Sequence, residues 1–330
     1  MSRAKIGVII HKDRRAGVIS PEDIERLKSL GEVVITDKDE PLTDEEAIGI
    51  LRDCRIALGS WGTPKPSEAI MAGCPDLELW VHAAGTVKGH FGPHLAGRDM
   101  KIATCKKAIA DNVAEAAVAE VVLGLRRILP SAAENRGGRA RRPQHVLAMC
   151  DATVGVIGAS DVGRAAIELL KANHAGRILV YDPYLYEPEA AGMGAEKLSD
   201  LIELCSRSDA VTLHAPAIPA CEKMLAAPHF QAMPDDCVFV NTARGMCIDE
   251  QALIAELATG RLFAFLDVSA PEPAADDSPL RTLANCVYSS HIAGGPGENI
   301  GKQAVDDIAA FLRGEEPTCV VTEDMLDRLA

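Results

Sequence analysis

Polar residues of the kinds that bind ligands and move protons recur where predicted strands end in the second half of the chain. In chain order they are His214, Arg244, Asp267, Glu272 and His291. An open α/β sheet binds its ligands at the carboxyl ends of its parallel strands, so this recurrence predicts a single site. An arginine can grip a carboxylate with a planar fork, and a histidine beside a carboxylate can transfer a proton near neutral pH.

A strand followed by a small-residue turn and a helix, in the segment VGVIGASDVG from Val154 onward, indicates a nucleotide site. A glycine at the turn allows a tight bend, a later glycine lets helix and strand approach, and the helix N-terminus attracts a pyrophosphate. The residues expected to bind the cofactor here are Gly158, Ser160, Asp161, Val162 and Gly163. Ser160 stands where the usual motif has its middle glycine, so the turn alone is weak evidence and plain βα packing remains an alternative.

Asp182 follows the next predicted strand, 24 residues after Gly158. A carboxylate at this place accepts hydrogen bonds from the ribose hydroxyls of NAD and repels the additional phosphate of NADP. No arginine follows it closely. The predicted cofactor is therefore NAD.

The elements that must position these residues form two series of short apolar runs alternating with helical patterns. The expected strands are residues 6–10, 33–35, 56–58 and 77–81 in the first series, and 153–157, 177–181, 210–213, 238–240, 262–266 and 286–289 in the second. Helices are expected over 21–30, 43–54, 161–170 and 299–312. Alternating β and α segments predict an α/β fold with two doubly wound parallel sheets.

Between the two series, the alanine-rich segment 111–128 predicts a long helix that Pro130 ends. The polar stretch 131–142 that follows predicts an exposed loop. Its arginines, interpreted as a solvated face, are Arg136, Arg139, Arg141 and Arg142.

Composition narrows the classes of partner. The chain carries 34 basic and 48 acidic residues, a net charge of −14, which disfavours nucleic acid and anionic membranes as partners. The ten cysteines are scattered without paired metal spacing, so no metal site is predicted and reduced thiols are expected. No signal peptide or membrane span is apparent, and a cytoplasmic location is expected.

Several segments carry a closer resemblance. The segments that carry it are FVNTARGMCIDEQALIAEL, GRLFAFLDVSAPEP, SSHIAGG, YDPY, SDAVTLHAP and NVAEAAVAEVVLGL. They resemble the D-isomer-specific 2-hydroxyacid dehydrogenase family, and the resemblance is close from about residue 111 to 314 and loose before 105. The resemblance implies a Rossmann NAD-binding domain over 105–295 and a flavodoxin-like substrate (catalytic) domain from 1–104 and 296–330. It also implies an NAD-dependent oxidoreductase that transfers hydride between NAD(H) and a small D-2-hydroxy or 2-oxo acid.

By the same resemblance, Arg244, Glu272 and His291 match the family's catalytic residues. In reduction His291 would protonate the carbonyl oxygen, Glu272 would stabilise the imidazolium, and Arg244 would hold the substrate carboxylate and polarise the carbonyl. The further cofactor contacts implied are His214, Pro216, Thr242, Ala243, Arg244, Asp267, His291 and Gly294. For His214 simple packing is the alternative, and for Asp267 it is a strand-end cap.

The substrate side departs from the family pattern. By position, the backbone N–H groups of Ala84, Gly85 and Thr86 should hold the substrate carboxylate together with Arg244. The local sequences HAAGTVKGH and GSWGTP are unusual for the family, so Trp61, His82 and Lys88 are further candidates for the pocket, and Lys88 could meet a second anionic group.

The substrate and the type of activity are both left open by the sequence. Phosphoglycerate, glyoxylate, hydroxypyruvate and branched 2-oxo acids are all possible substrates. The rival hypotheses are an NAD-sensing binding protein like the family's corepressors, and a dehydrogenase of a non-carboxylate anion such as phosphite. The resemblance also predicts a homodimer with helix 111–128 near its interface.

Overall fold

The computed structural model describes residues 3–138 and 145–326, and within them the chain forms two compact units. Unit 1 consists of the chain up to Ile109 together with the segment from Gly295 onward. Unit 2 runs from Ala110 to Gly294. The first boundary between the units therefore falls within a helix rather than in a loop.

Unit 1 is a doubly wound sheet. Its strands are β1 (Lys5–Val8), β2 (Glu32–Ile35), β3 (Ile56–Gly59), β4 (Leu79–His82), β5 (Lys101–Thr104) and β13 (Val320–Val321), in the spatial order β13-β5-β4-β3-β1-β2. Only β13 pairs antiparallel in this sheet as described. The order β2-β1-β3-β4-β5 is that of flavodoxin-like folds, as predicted.

Three of the five helices described in unit 1 begin at a side-chain cap that the sequence supplies. The five helices are α1 (Lys12–Arg15), α2 (Pro21–Leu30), α3 (Asp44–Leu51), α4 (Glu68–Gly73) and α12 (Glu298–Leu312). The side chains of Ser20, Thr43 and Ser67 each accept a hydrogen bond from a backbone N–H of the first turn, which stabilises the start of α2, α3 and α4. Apolar clusters cover both faces of the sheet, one of them including Ile300, Ala304 and Ile308 of α12.

Unit 2 has the Rossmann strand order. Its strands are β6 (Thr153–Ile157), β7 (Arg177–Tyr181), β8 (Glu196–Lys197), β9 (Ala210–Leu213), β10 (Val238–Asn241), β11 (Phe263–Leu266) and β12 (Cys286–Tyr288). They are parallel and lie in the order β12-β11-β10-β9-β6-β7-β8. The order reverses between β6 and β9, which places the ligand crevice of such a fold beyond the carboxyl ends of these two strands.

The helices of unit 2 are short apart from α5, which starts in unit 1. They are α5 (Lys106–Leu125), α6 (Ile128–Arg136), α7 (Asp161–Ala172), α8 (Glu187–Met193), α9 (Leu201–Ser206), α10 (Ala227–Ala232) and α11 (Glu250–Ala258). One apolar cluster joins α5 and α7 to one face of the sheet, and a second joins α9, α10 and α11 to the other face. The predicted α/β class with two doubly wound sheets is confirmed.

The segment after α5 differs from the prediction. The long helix begins at Lys106 and ends at Leu125, and α6 then continues to Arg136 through part of the expected loop. Pro130 lies in the first turn of α6, where its missing N–H would have no helical partner in any case, so it does not end a helix. Arg127 has φ 52°, and this left-handed residue redirects the chain between the two helices. Arg139, Arg141 and Arg142 lie outside the described residues.

Gly155, in the middle of β6, allows α9 to pack closely on the sheet, and its substitution tests this packing. A Cβ atom at Gly155 would lie 2.5 Å from Leu204 Cδ2 and 2.5 Å from Ser208 Oγ. Gly155→Ala should therefore lower the free energy of unfolding by about 1–3 kcal/mol, measured by urea denaturation. Gly192→Ala is the control, because no atom lies within 4 Å of a Cβ there and alanine favours the helix. Equal stability of the two variants would contradict this packing.

Candidate active site

The turn between β6 and α7 requires glycine at two positions. Gly158 has φ +95°, and a Cβ there would lie 2.8 Å from the carbonyl oxygen of His214. A Cβ at Gly163 would lie 1.9 Å from the carbonyl oxygen of Gly158. The backbone therefore makes a close approach that only glycine permits, and it presents the N-terminus of α7 at the point where the strand order reverses.

Ser160 is a structural part of this turn. Its Oγ accepts the backbone N–H of Gly163 at 3.3 Å, as the N-cap of α7, and donates to the carbonyl oxygen of His214 at 3.0 Å. The hydroxyl group of Ser160 thus connects the turn to the end of β9, a hydrogen bond that glycine could not make. The residues that follow, Asp161 and Val162, form the first turn of α7.

Asp182 is held in a fixed orientation directly after β7. Its Oδ2 accepts the backbone N–H of Ala159 at 2.8 Å, and its Oδ1 accepts the N–H of Tyr184 at 2.8 Å. Each carboxylate oxygen has a second lone pair, which can accept a further donor. The predicted contact with the ribose of NAD requires those remaining acceptors, and it stays a prediction.

His214 points into the protein. Its ring is buried, Nε2 lies 3.0 Å from Thr212 Oγ1, and burial lowers the pKa of the imidazole to about 4. The ring is therefore neutral at physiological pH, and the residue shapes the turn through its backbone carbonyl. Pro216, two residues later, accepts a weak hydrogen bond from Cys247 Sγ at 3.8 Å. Cofactor contacts by either residue stay predictions.

The loop after β10 is fixed from within and from the neighbouring strand. Asn241 Oδ1 accepts the N–H of Ala243 at 3.0 Å, and one Arg244 Nη donates to the carbonyl of Ala243 at 2.6 Å. A Cβ at Gly245 would lie 2.1 Å from the carbonyl oxygen of Ser269, so glycine is required for the loops after β10 and β11 to meet. This contact places Arg244 beside the segment that leads to Glu272.

Thr242 carries an unsatisfied group in the same loop. Its side chain is 5% exposed, and its Oγ1 is buried without a hydrogen-bond partner among the described residues. A buried hydroxyl that lacks a partner is costly unless a ligand supplies one. Thr242 is thus compatible with its predicted role in binding the cofactor.

Asp267 organises the loop that carries His291. Its carboxylate is buried and accepts Ser289 Oγ–H at 2.7 Å and the backbone N–H groups of Ile292 and Ala293 at 2.8 and 2.9 Å. Its backbone carbonyl accepts the N–H of His291 at 2.8 Å. The side chain is therefore the strand-end cap that the sequence left as an alternative. Its predicted contact with the nicotinamide carboxamide is untested.

His291 and Glu272 form a close pair. The His291 Nδ1 lies 2.5 Å from Glu272 Oε1, and both side chains are partly exposed. His291 adopts φ 55°, a left-handed conformation that is rare for residues other than glycine and is held here by the hydrogen bonds to Asp267. The pair leaves Nε2 of the imidazole available for chemistry. Gly294 ends the same loop and is partly buried.

The loop of Glu272 has its own support. Ser269 Oγ donates to the carbonyl of Pro271 at 2.8 Å and lies 2.9 Å from Tyr288 Oη, which in turn accepts the N–H of Ala274 at 2.9 Å. Ser269 and Tyr288 were not singled out from the sequence, because nothing in their types or spacing marks a supporting role. The structure thus brings Arg244, Asp267, Glu272 and His291 together at one edge of unit 2.

Glu120 is a third residue that the sequence analysis missed. It lies on α5, its Oε2 is buried without a hydrogen-bond partner among the described residues, and Asp267 is near enough to act on it electrostatically. Burial, with a smaller contribution from the charge of Asp267, raises the pKa of Glu120 to about 7. The signal was present in the sequence, since Glu120 stands among the apolar residues Ala117, Val118 and Val121.

In unit 1, the loop after β4 includes Ala84, Gly85 and Thr86, of which Ala84 is buried and Thr86 exposed. The backbone N–H of Ala84 donates to the carbonyl of His82, and its carbonyl accepts the N–H of Cys105 at 3.1 Å. The substrate contacts predicted for this loop stay predictions.

The three further candidates of unit 1 have different surroundings. Trp61 packs against the apolar cluster that includes α12. The ring of His82 is buried against that of His90 with centroids 4.4 Å apart, and burial followed by the charges of His90 and Lys65 lowers the pKa of His82 to about 3. Lys88 is exposed. Lys65 rather than Lys88 is the cation whose charge reaches this histidine pair.

Comparison with known proteins assigns the class of protein that this fold and site define. Residues 118–293 match the model of the D-isomer specific 2-hydroxyacid dehydrogenase, NAD binding domain. The chain therefore belongs to the D-isomer specific 2-hydroxyacid dehydrogenase family, and unit 2 contains its NAD-binding domain. The resemblance and the predicted cofactor are confirmed.

Among curated proteins, the chain is similar to the D-3-phosphoglycerate dehydrogenase of Methanocaldococcus jannaschii, at 32% identity over 88% of this chain and 56% of that protein. It is also 32% identical to human glyoxylate reductase/hydroxypyruvate reductase, over 66% of this chain and 69% of that one. The chain thus spans little more than half the length of the first of these relatives.

The fold is shared with a phosphoglycerate oxidoreductase from Rhizobium etli, whose crystal structure matches with a TM-score of 0.80 at 23% identity, covering 97% of this chain and 99% of that one. Within residues 3–138 and 145–326, no helix has the length and apolar character to cross a membrane. None of the ten cysteines forms a disulfide.

The residues of unit 2 fit an NAD cofactor. The glycine cradle at Gly158 and Gly163, the N-terminus of α7 and the unpartnered hydroxyl of Thr242 supply the close approach and donors that a dinucleotide requires. The carboxylate of Asp182 supplies acceptors near the same turn.

Ser160 provides a test of this turn. Ser160→Gly restores the usual glycine but removes the N-cap and the hydrogen bond to His214, so the free energy of unfolding should fall by about 1 kcal/mol. Denaturation without cofactor measures this loss. NADH affinity, measured by fluorescence titration, should not weaken, because glycine permits the same backbone approach. Unchanged stability would show that the two hydrogen bonds contribute nothing.

Proposed function

We propose that this protein is an NAD-dependent oxidoreductase that interconverts a small 2-oxo acid and its D-2-hydroxy acid. The observation that carries the proposal is the pair of His291 and Glu272, 2.5 Å apart, in a chain of the D-isomer specific 2-hydroxyacid dehydrogenase family. The D configuration follows from the family and is part of the proposal.

In the direction of reduction, bound NADH supplies the hydride. His291 donates a proton from Nε2 to the carbonyl oxygen of the substrate, since its Nδ1 is engaged with Glu272. Glu272 holds the ring in place and stabilises the imidazolium before the transfer. In the direction of oxidation the neutral imidazole accepts the proton of the hydroxyl group.

Arg244 binds the substrate carboxylate in this proposal. One of its nitrogens is held by the carbonyl of Ala243, which limits the positions of the guanidinium and leaves further N–H donors for a carboxylate and a carbonyl oxygen. Of the loop Ala84, Gly85 and Thr86, we assign the backbone N–H groups of Gly85 and Thr86 as additional carboxylate donors, because short loops at strand ends expose such groups. The N–H of Ala84 already donates to the carbonyl of His82. Cofactor contacts are assigned to the turn residues of α7 and to Asp182, Thr242, Ala243 and Gly294.

For the substrate we favour glyoxylate or hydroxypyruvate over phosphoglycerate. Burial lowers the pKa values of His82 and His90, so these two rings are neutral and supply no positive charge for a phosphate. The human relative is named for glyoxylate and hydroxypyruvate. The archaeal relative is named for phosphoglycerate, so the oxidised form of that substrate is included in the test of activity.

We further propose a cytoplasmic homodimer. Ile128, Leu129 and Val146 are large apolar side chains that are 46%, 37% and 43% exposed, and the first two start α6 next to the predicted interface helix. Burial of this patch against a second copy would remove apolar surface from water. Light scattering on the purified protein measures the mass, and a monomer at micromolar concentration would contradict the dimer.

The activity is tested with the purified protein, NADH and a panel of glyoxylate, hydroxypyruvate, branched 2-oxo acids and 3-phosphohydroxypyruvate. The absorbance of NADH should fall with at least one of the first two substrates, and the product should be the D-hydroxy acid. NADH binding without turnover on the whole panel would favour a cofactor-sensing binding protein. A parallel assay supplies NAD⁺ and phosphite. Formation of NADH there, with no turnover of the 2-oxo acids, would favour the rival enzyme.

His291 should be essential to that turnover. His291→Ala removes the proton donor and should lower kcat by about 100-fold or more, with NADH affinity little changed. Glu272→Gln should lower kcat by about tenfold, because the imidazolium loses its counter-charge while the ring keeps a hydrogen-bond partner. Asp276→Asn, in the same exposed segment, is the control and should resemble the wild type. Normal kcat in His291→Ala would refute the mechanism.

A further inference from the structure

A carboxyl group that the proposed mechanism does not use lies beside the catalytic edge of unit 2. Glu120 is partly buried on α5, and its Oε2 is fully buried with no partner among the residues that the structure describes. A buried carboxyl oxygen without a hydrogen bond is destabilising, so its presence in an apolar helix calls for a functional reason.

The packing of α5 shows where this carboxyl group lies. One helical turn after Glu120, a Cβ at Gly124 would lie 2.5 Å from Val238 Cγ1 and 3.1 Å from Phe265 Cε2, so this face of α5 contacts β10 and β11. Four helical residues span about 6 Å, and the two strand residues from Phe265 to Asp267 span about 6.6 Å. The two steps have similar lengths, and the charge of Asp267 acts on Glu120. Both observations agree with an α5 that runs against β11, so that Glu120 lies beside Asp267 as Gly124 lies beside Phe265.

The charges around Glu120 are few. Of the strands packed against this face of α5, β10 carries no ionisable residue, and β11 is followed by Asp267. Arg244 after β10, Glu272 after β11 and His291 after β12 are not among the causes that shift the pKa of Glu120. The negative charge of Asp267 and burial both favour the protonated form of Glu120.

We propose that Glu120 is a specificity-determining residue for the cofactor, whose ionisation sets the relative affinity of the site for NAD⁺ and NADH. The proposal rests on the proposed function, in which the nicotinamide binds near Asp267 and His291. The nicotinamide of NAD⁺ carries a positive charge that NADH lacks. An ionised Glu120 therefore favours NAD⁺, and protonation of Glu120 weakens NAD⁺ binding relative to NADH.

The sign of the pH dependence follows from linkage. NAD⁺ favours the ionised carboxylate, so NAD⁺ binding releases a proton, and NAD⁺ affinity rises as pH increases through about 7, the pKa of Glu120 in the free protein. NADH has no such preference. Mild acidification would then bias the site toward NADH and hence toward reduction of the 2-oxo acid.

The experiment measures Kd for NAD⁺ and for NADH about one pH unit below and about one pH unit above pH 7, in the full chain. In the wild type the ratio of Kd for NAD⁺ to Kd for NADH should fall by about fivefold over this range. Glu120→Gln keeps the shape and removes the titration, so its ratio should change little. Glu168→Gln, on the exposed side of α7, is the matched control and should behave as the wild type.

A second measurement needs no variant. Calorimetry of the wild type in buffers of different ionisation enthalpy should show proton release on binding NAD⁺ near pH 7 and none on binding NADH. A ratio in Glu120→Gln that varies with pH as in the wild type, or no proton release in the wild type, would overturn the proposal. Either result with normal turnover of 2-oxo acids would leave the proposed function intact, whereas absent turnover would count against that function.

The free protein provides a readout that is independent of activity. The pKa of Glu120 is higher in the folded protein than its ordinary value, so the folded state binds more protons than the unfolded state between the two values. Stability contributed by this group is therefore lost as pH rises from about 4.5 to about 7. Thermal denaturation should show this loss in the wild type and in Glu168→Gln, and a smaller loss in Glu120→Gln.

Discussion

The carboxylate of Asp267 is the interaction on which the arrangement of the site depends. It is buried at the end of β11 and accepts three hydrogen bonds from the segment that follows β12, while its own backbone carbonyl accepts the N–H of His291. Hydrogen bonds to an ionised acceptor are stronger than neutral ones, and in the protein interior they are little screened. They compensate the positive φ of His291 and the desolvation of the charge itself.

The loops after β10 and β11 contact each other at the same edge of the sheet as Asp267. Gly245 lets the loop after β10 touch Ser269, and Ser269 with Tyr288 supports the segment of Glu272. Arg244, Glu272 and His291 thus come from three successive strands, and each is fixed by backbone contacts rather than by its neighbour alone. A site assembled in this way has its geometry set before a ligand arrives, which is what electrostatic stabilisation of a transition state requires.

The carboxylate of Asp267 also affects the ionisation of a residue on α5. A buried carboxylate at Asp267 makes a second negative charge nearby unfavourable, and Glu120 carries that consequence as a raised pKa. The positive charge of an oxidised nicotinamide would reverse the balance. Asp267 and the carboxyl group on α5 are therefore linked by charge, although they lie on different elements. Asp267 is connected to the pair of His291 and Glu272 by the hydrogen bond from the backbone N–H of His291.

The sequence by itself determined the class of the fold and supplied the predicted residues of the site. Alternating apolar runs and capped helices located the principal strands of unit 2, because strand periodicity and helix caps are local properties. Arg244, Glu272 and His291 were found because each follows a strand whose carboxyl end the topology brings to one edge. Only the tertiary structure decided the roles of residues whose surroundings come from distant segments. It showed Asp267 as an anchor, turned the ring of His214 inward, continued α6 past Pro130 and placed Glu120 near Asp267. Burial and charge at these positions depend on contacts between residues far apart in the chain, which no local pattern specifies.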